Sequence, residues 1–371
     1  MTTDADVAPQ PGNAVIKCVV WDIDNTLLDG VYLEWAGEPP PADPVLAGVL
    51  RELGDRGILQ ALASRNPFEA AEYVRAVTGA EFASVECGWG SKAEAISRIA
   101  ADLDIPADTI AFVDDDMVER AEVAAELPDV LVLTPEDAAE AADWPQFSPA
   151  VITAEARRRG ELYAERRRRQ AAASAFGGSR DDFLRQAGTR ITISPAQLGD
   201  VPRLHELSVR THQLNSGGQP MTEAELSGLL ESPDHEVATL RMADDFGDDG
   251  LVGAAILARN GAVRAAAPPA TKTLASITVP LIMMSCRALG RGALDALLTW
   301  TCRAAAAAGA SELAVPCLVT DRNVPMRLAL AAAGLRAAPG SVAADGRAVF
   351  ARSLVGDLPE LPGWVTVEGT R

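Results

Sequence analysis

Two carboxylates, Asp22 and Asp24, stand two residues apart directly after an apolar run that ends at Trp21. At that spacing an extended chain presents both to the same side. Burying two anions together is costly unless a cation neutralises them. Carboxylate oxygens are hard ligands, which favour Mg²⁺. The pair predicts a magnesium site, although an acidic loop taken alone is a weak signal.

Three further groups strengthen this interpretation. Ser64 follows a second apolar run, Lys92 opens an amphipathic segment, and Asp114 with Asp115 follows a third run. Together they offer a carboxylate nucleophile, an acid/base group, a hydroxyl and a cation for phosphate oxygens, and a metal site, which are the parts that phosphoryl transfer needs. Singly, each has an ordinary explanation, such as a helix cap or a surface lysine.

The elements that position these residues alternate between strand and helix from Val15 to Trp144. Such alternation predicts an α/β domain with a doubly wound parallel sheet over residues 15–147, in which ligands bind at the carboxyl ends of strands. The predicted strands are Val15–Trp21, Ile58–Ala63, Ser84–Cys87, Thr109–Val113 and Val130–Leu133. The predicted helices are Pro44–Arg56, Pro67–Val77, Ser91–Leu103 and Met117–Leu127.

The segments between the motifs are short. Positions 27–63 have room for one crossover helix, and positions 65–91 for a helix and a strand. No length remains for a large cap domain, so the crevice is expected to be open. An open site suits a substrate carried on a protein or another bulky group. The alternative is that the second domain closes the crevice.

A second domain of α+β type is predicted over residues 188–360. A helical linker, residues 148–187, precedes it and is rich in Ala, Arg and Glu. Its arginines, at 157–159 and 166–169, are interpreted as a solvated helix face, with a docking patch for an acidic partner as the alternative. Predicted elements of the second domain are strands at 190–193, 237–242, 251–258, 278–286 and 313–318 and helices at 195–210 and 290–310.

Composition limits the possible functions. The 371 residues carry a net charge of −19 at pH 7, which argues against non-specific nucleic-acid binding. No apolar run is long enough to cross a membrane. The first 14 residues lack the pattern of a signal peptide, so we expect a disordered tail on a cytoplasmic protein. Five unpaired cysteines are expected to be buried free thiols.

The motifs of the first domain resemble the haloacid-dehalogenase phosphatase superfamily. The resemblance implies that Asp22 attacks phosphorus and that Asp24 protonates the leaving oxygen and then activates water. It implies phosphate contacts for Ser64 and Lys92. It also implies a Mg²⁺ site formed by Asp22, Asp24, Asp114 and Asp115, and substrate contacts from Thr26, Arg65 and Asn66.

A glycine-containing loop in the second domain carries Arg287, Gly290, Arg291 and Gly292 between an apolar strand and a helix. Glycines there let backbone N–H groups approach a pyrophosphate or a phosphopantetheine phosphate. A plain strand–helix turn is the alternative. With Asn323 at the next strand end, the order resembles the acyl-CoA-binding core of the GNAT acetyltransferase fold.

Both domains together resemble the FkbH-like family of polyketide and non-ribosomal peptide pathways, over residues 15–335. The landmarks include 17–27, 112–115 with 119–120, 210–215, 246–253 and 285–287. The resemblance implies removal of phosphate from D-1,3-bisphosphoglycerate and transfer of a glyceryl group to the phosphopantetheine arm of an acyl or peptidyl carrier protein. It places His212 and Asn215 near the substrate, His212 as a candidate base.

The sequence departs from this family at Ala63, where glyceryl-transferring members usually carry cysteine. Alanine cannot form a thioester. Transfer then goes directly to the carrier thiol, or the substrate is another phosphorylated acid. Cys18 and Cys87 are weak substitutes, since Cys87 is expected to lie away from Ser64. The rival hypotheses are a plain phosphatase and a non-catalytic carrier-binding module.

Overall fold

The computed structural model describes residues 15–35, 39–149, 152–258, 276–338 and 342–368. The predicted tail, residues 1–14, lies outside them. The chain divides into two compact units, Met1–Arg168 and Arg169–Arg371. The division falls inside the segment that was predicted as a linker; the bounds of the predicted domains remain predictions. No helix of the described residues is long and apolar enough to cross a membrane.

The first unit contains a five-stranded sheet in the order β3-β2-β1-β4-β5, in which every pair is parallel. Its strands are mostly apolar, as expected when helices cover both faces of a sheet. They are β1 (Cys18–Trp21), β2 (Leu59–Ser64), β3 (Ser84–Cys87), β4 (Ile110–Val113) and β5 (Leu131–Leu133). The doubly wound parallel sheet that the sequence predicted is confirmed.

Helices cover the sheet on two sides. One apolar core includes Trp21 of the sheet, Leu50 and Val74, and the other includes Phe112 and Ile96. The helices are α1 (Pro44–Asp55), α2 (Phe68–Thr78), α3 (Lys92–Leu103), α4 (Met117–Glu126), α5 (Pro135–Glu140), α6 (Ala154–Arg157) and α7 (Arg159–Ala175), the last crossing the division between the units. Asp43, Ser91 and Asp116 cap α1, α3 and α4 with their side chains, which fixes where these helices begin.

The second unit is built on an eight-stranded mixed sheet in the order β11-β12-β10-β9-β8-β7-β6-β13. Strands β6 to β9 form an antiparallel meander, and β10 runs parallel to β9. The strands are β6 (Arg190–Pro195), β7 (His235–Asp244), β8 (Gly247–Ala258), β9 (Ser276–Met284), β10 (Glu312–Leu318), β11 (Arg336–Ala337), β12 (Arg347–Ser353) and β13 (Thr366–Glu368). This is the α+β architecture that the sequence predicted.

The helices of the second unit are α8 (Arg180–Gln186), α9 (Val201–Arg210), α10 (Glu223–Glu231), α11 (Ala293–Ala307) and α12 (Val324–Ala332). The helix predicted from Pro195 begins at Val201 instead. Pro195 is the last residue of β6, and a short 3₁₀ turn, capped by Gln197 and Asp200, separates strand from helix. Local polar capping therefore moves the start of the helix from Pro195 to Val201.

The arginine runs are not uniformly solvated, which corrects the sequence-based interpretation. Arg159 is buried and donates to the backbone oxygen of Gly57. Arg169 is buried and pairs with Asp244 at 2.5 Å. Arginine can be buried where a carboxylate or carbonyl satisfies its donors, and the sequence does not reveal such distant partners.

Candidate functional site

Four chain segments bring polar side chains to the carboxyl edge of the first sheet. Asp22 follows β1, Ser64 ends β2, Lys92 begins α3 after β3, and Asp114 follows β4. All four residues are buried. The backbone N–H of Asp22 donates to the carbonyl of Val113 at 2.9 Å, which ties the first turn after β1 to the end of β4.

The Lys92 ammonium lies at the centre of this group and is only 3% exposed. Its Nζ contacts Asp22 Oδ1, Asp114 Oδ2 at 3.0 Å and Glu119 Oε2 at 3.1 Å. It also donates to the carbonyl of Ala63 at 2.8 Å. Burial alone lowers the pKa of an ammonium, but the neighbouring carboxylates outweigh it and raise the pKa of Lys92 above its ordinary value. Lys92 is therefore a permanently charged cation at neutral pH, held in place by these contacts.

Asp22, Asp114 and Asp115 each offer a carboxylate oxygen, and these atoms lie within 4.8 Å of one another. Burial raises the pKa of both Asp22 and Asp114, against the opposing charge of Lys92. The carboxylates around Lys92 therefore need more positive charge than one ammonium supplies. An all-oxygen set with excess negative charge fits Mg²⁺.

Adding Mg²⁺ is expected to raise the thermal midpoint of unfolding, since a cation that binds the folded chain relieves this repulsion. At a hundredfold excess over Kd the gain is about 2.7 kcal/mol. Asp115→Asn should reduce the gain, because it removes one of the three carboxylates of the candidate metal site. Asp115 is exposed, so its replacement should leave the fold intact. Scanning fluorimetry with and without Mg²⁺ measures it.

The matched control is Asp116→Asn. Asp116 caps α4 and is outside the group of three carboxylates. This variant is expected to keep nearly the wild-type midpoint without metal, because asparagine caps a helix about as well as aspartate, and to show the wild-type response to Mg²⁺. Equal responses in the Asp115 variant and the wild type would contradict the metal site.

Asp24 is not part of that metal group, although it was predicted as a ligand. Its Oδ1 accepts from the backbone N–H of Tyr32 at 2.8 Å, and its Oδ2 accepts from Asn66 Nδ2 at 2.8 Å. The chain turns between Asp22 and Asp24 and continues through Asn25 at φ 48°. The turn separates the carboxylates that an extended chain would align, so Asp24 is left as a candidate acid/base group.

Two of the predicted substrate contacts of the first unit, Arg65 and Asn66, follow Ser64 directly in the chain. Asn66 Nδ2 donates to Ser64 Oγ at 3.0 Å. Thr26 Oγ1 and Asn66 Oδ1 are buried, and neither has a hydrogen-bond partner among the described residues. Arg65 is exposed and pairs with Glu119 at 3.0 Å. The structure thus places Arg65 and Asn66 beside Ser64, and the substrate roles of Thr26, Arg65 and Asn66 remain predictions.

Glu119 was missed as a site residue. It is buried and joins Lys92 to Arg65 through its two carboxylate oxygens. In the sequence it lies in the first turn after a capping residue, Asp116, where an acid is common because it interacts with the helix dipole. Because the helix dipole already explains an acid at this position, the sequence offers no separate reason to predict that Glu119 contacts Lys92 and Arg65.

Cys87 lies beside Ser64, contrary to the sequence-based expectation. It is the register partner of Ser64 in the adjacent parallel strand. Burial, together with the charges of Glu86 and Asp22, raises the pKa of its thiol to about 11. At neutral pH the thiol is protonated and a poor nucleophile.

The glycine-containing loop of the second unit is engaged by the same unit. Gly290 has φ 74°, and its carbonyl accepts from Arg180 at 3.0 Å. A Cβ at Gly292 would lie 2.7 Å from Val365 and 3.2 Å from the indole nitrogen of Trp364. The close approach that Gly292 permits is made by the C-terminal segment, and the one at Gly290 is made by Arg180.

The two predicted arginines of this loop are buried. Arg291 pairs with Asp249 at 2.5 Å and with Asp244 at 2.6 Å. The Arg287 guanidinium lies 3.5 Å from the backbone oxygen of Asp249. Since carboxylates already neutralise Arg291, its phosphate contact stays a prediction that would require these pairs to open.

Asn215 and Asn323 hold backbone in place. Asn215 Oδ1 accepts from the N–H groups of Gly217 and Gly218 at 2.8 and 3.1 Å. Asn323 Oδ1 accepts from the N–H of Thr320 at 3.1 Å ahead of α12. His212 is exposed, three residues before Asn215. The predicted substrate roles of Asn215 and His212 and the cofactor role of Asn323 are untested by these contacts.

The segment 214–216 lies between β9 and β10. Among the described residues, these parallel strands pair from Ser276 to Thr278 against Glu312 to Ala314. Farther along, the Ser216 N–H donates to the carbonyl of Ile282 at 2.9 Å, and the Ser216 carbonyl accepts from Leu318 at 2.9 Å. Beyond the paired residues, the segment 214–216 therefore lies between β9 and β10 and bonds to both strands.

No protein-family model matches the chain, and no curated protein matches it. Solved structures are similar to parts of it. One is the N-terminal part of a Bacteroides fragilis protein, containing a phosphatase domain complexed with Mg, at 26% identity over 34% of this chain and 38% of that one, with a TM-score of 0.30. The chain thus spans well under two thirds of that structure.

Other similar structures are acetyltransferases. The ribosomal-protein-S18-alanine N-acetyltransferase of Escherichia coli is 16% identical over 46% of this chain and 98% of its own, with a TM-score of 0.32. The GNAT domain of S. lividans PAT is 17% identical over 43% of this chain and 89% of its own, with a TM-score of 0.34.

Proposed function

We propose that the chain is a Mg²⁺-dependent phosphatase of the haloacid-dehalogenase type that acts on a small phosphorylated acid. The observation that carries the proposal is the buried Asp22 carboxylate, which contacts the Lys92 ammonium and belongs to the group of three carboxylates. A carboxylate held between a fixed cation and a metal site is well placed to attack an electrophilic phosphorus.

In the proposed reaction an Asp22 oxygen attacks phosphorus, the bond to the leaving oxygen breaks, and an aspartyl phosphate forms. Asp24 gives the leaving oxygen its proton and later accepts one from the water that hydrolyses the intermediate. The hydrogen bonds from Tyr32 and Asn66 orient its carboxyl group for both steps. Ser64 and Lys92 bind the phosphoryl oxygens, and bound Mg²⁺ would supply charge neutralisation there.

We further propose that the acid is delivered to the phosphopantetheine thiol of an acyl or peptidyl carrier protein. Support comes from the FkbH-like resemblance, for which D-1,3-bisphosphoglycerate is the expected substrate. The thiolate would attack the acyl-phosphate carbon, releasing that phosphate as the thioester forms. Hydrolysis at the Asp22 site would remove the other phosphate.

Transfer is expected to be direct, without a thioester on the enzyme. Ala63 replaces the family's cysteine, and the raised pKa of Cys87 leaves its thiol protonated. A Cys87→Ala variant should load carrier at the wild-type rate, and acid-quenched enzyme should carry no acyl group by mass spectrometry. An acyl adduct on Cys87, or loss of loading in the variant, would contradict direct transfer.

Intact-protein mass spectrometry tests the loading step. Holo acyl carrier protein is incubated with the enzyme, Mg²⁺ and D-1,3-bisphosphoglycerate, with pantetheine in parallel as a small thiol acceptor. A gain of one glyceryl group on either acceptor supports the proposal. Phosphate release with no gain on either would refute acyl transfer and leave the phosphatase.

That second candidate, a phosphatase without acyl transfer, is favoured by one specific observation. The loop that was predicted to hold the phosphopantetheine arm has its Arg291 charge neutralised by Asp244 and Asp249 and its Gly292 in contact with the C-terminal segment. An arm would have to displace these groups.

A further inference from the structure

We infer that Glu119 is a positioning residue which holds two cations, Lys92 and Arg65, for the two anionic ends of one substrate. The inference rests on the proposed phosphatase function and narrows its substrate class. The evidence for it is the position of the buried Glu119 carboxylate in the first turn of α4. Glu119 Oε2 lies 3.1 Å from Lys92 Nζ, and Glu119 Oε1 lies 3.0 Å from Arg65 Nη1. Each oxygen thus serves one cation.

Glu119 differs from the other carboxylates that contact Lys92. Asp22 and Asp114 both belong to the candidate metal group, and Asp22 is also the proposed phosphoryl acceptor. Their charge is shared with a metal or altered by phosphorylation during turnover. Glu119 is outside that group, so it can keep Lys92 oriented through every step. A positioning carboxylate must keep its charge and its contact with Lys92 unchanged throughout the reaction.

Arg65 directly follows the carboxyl end of β2, next in the chain to Ser64. Its side chain is 45% exposed, which leaves part of the guanidinium open to solvent. Its ion pairs are with Glu119 at 3.0 Å and Glu122 at 4.0 Å. A guanidinium carries five N–H donors, so these contacts leave donors for a further anion. Carboxylates and phosphates suit its planar fork.

The two cations stand on either side of one carboxylate, with different exposure. Lys92 is buried beside Asp22, where the transferred phosphoryl group would lie, whereas Arg65 faces solvent. A compact substrate with phosphate at one end and a carboxylate or second phosphate at the other would satisfy both. The geometry therefore selects a phosphorylated acid over a phosphate monoester that carries no second anion.

The experiment compares Glu119→Gln with Glu122→Gln on two probes. Glu122 is one turn farther along α4, undergoes the same charge change, and touches Arg65 only at 4.0 Å. The probes are p-nitrophenyl phosphate, which has one anionic group, and 3-phosphoglycerate, which has two. kcat and KM are measured for each, after circular dichroism has shown that both variants fold.

For Glu119→Gln we expect kcat to fall at least about tenfold on both probes, because Lys92 loses a charged hydrogen-bond partner. We expect KM to rise about tenfold for 3-phosphoglycerate and much less for p-nitrophenyl phosphate. The Mg²⁺ concentration for half-maximal rate should stay within about twofold, since Glu119 is no metal ligand. Glu122→Gln should match the wild type on both probes.

An Arg65→Gln variant tests the outer cation separately. Its KM should rise about tenfold more for 3-phosphoglycerate than for p-nitrophenyl phosphate. Equal KM changes on the two probes would refute the role of Arg65, and equal behaviour of the two glutamate variants would refute the role of Glu119. If the wild type turned over neither probe, the proposed function would fall, and this inference with it.

Discussion

Replacing Asp22 with asparagine is expected to reduce phosphate release by at least about 10³-fold, since an amide oxygen is a poor nucleophile and the catalytic residues act as a unit. The fold should survive. Burial raises the pKa of Asp22, which means that its charge is held against a desolvation cost. Lys92 also keeps Asp114 and Glu119 as partners. Phosphate release and thermal unfolding are the two measurements.

The control for this variant is Asp29→Asn. Asp29 lies just beyond the turn that follows β1 and is exposed. The same change of charge there should leave turnover within about twofold of the wild type, as for most surface substitutions. Turnover by the Asp22 variant within about tenfold of the wild type would show that another group is the nucleophile, or that the site is vestigial.

The second large effect is expected on stability, at a buried cluster of two aspartates and two arginines. Asp244 pairs with Arg169 at 2.5 Å and with Arg291 at 2.6 Å, and Arg291 also pairs with Asp249 at 2.5 Å. All four side chains are buried. Asp244→Asn leaves the arginine charges only partly compensated. Breaking a buried pair in this way costs about 3–5 kcal/mol.

Urea unfolding of the full chain measures that loss, with Asp245→Asn as the matched neighbour. Asp245 is exposed and lies 3.5 Å from Arg190, so its removal should cost at most about 1 kcal/mol. Equal unfolding midpoints for the two variants would show that the cluster contributes little.

The cluster also predicts a pH dependence. Burial alone raises the pKa of Asp244, but the hydrogen bonds and charges of Arg169 and Arg291 outweigh it and lower the pKa below its ordinary value. A carboxyl group with a lowered folded-state pKa stabilises the fold above its unfolded pKa of about 3.9. That contribution is lost as the pH falls through the folded-state value. The difference between wild type and Asp244→Asn should therefore shrink below about pH 4.

The sequence was sufficient to predict the first sheet and most of the residues at its edge. Apolar runs ending in Asp22, Ser64 and Asp114 identify buried strands, and parallel strands with crossover helices bring such ends together. What it did not predict depends on backbone detail. The turn between Asp22 and Asp24 separates their carboxylates, and the register of β2 with β3 places Cys87 beside Ser64.

Contacts between residues far apart in the chain limited prediction in the second unit. Arg291 looked available for phosphate because its partners, Asp244 and Asp249, lie more than forty positions earlier. Arg169 looked solvated for the same reason. A charged residue's burial depends on such partners, which periodicity and local motifs do not specify.

The central claim is that Asp22 becomes phosphorylated during turnover, and trapping that intermediate tests it most directly. An Asp24→Asn variant is used, because it lacks the base for hydrolysis of the intermediate. The donor is p-nitrophenyl phosphate, whose leaving group needs no proton. After an acid quench, borohydride reduces an aspartyl phosphate to homoserine, which peptide mass spectrometry locates.

We predict homoserine at the position of Asp22, formed only when Mg²⁺ is present and absent when Asp22→Asn is added to the variant. Homoserine at a different carboxylate, or release of p-nitrophenolate with no reduced residue anywhere in the chain, would contradict the account.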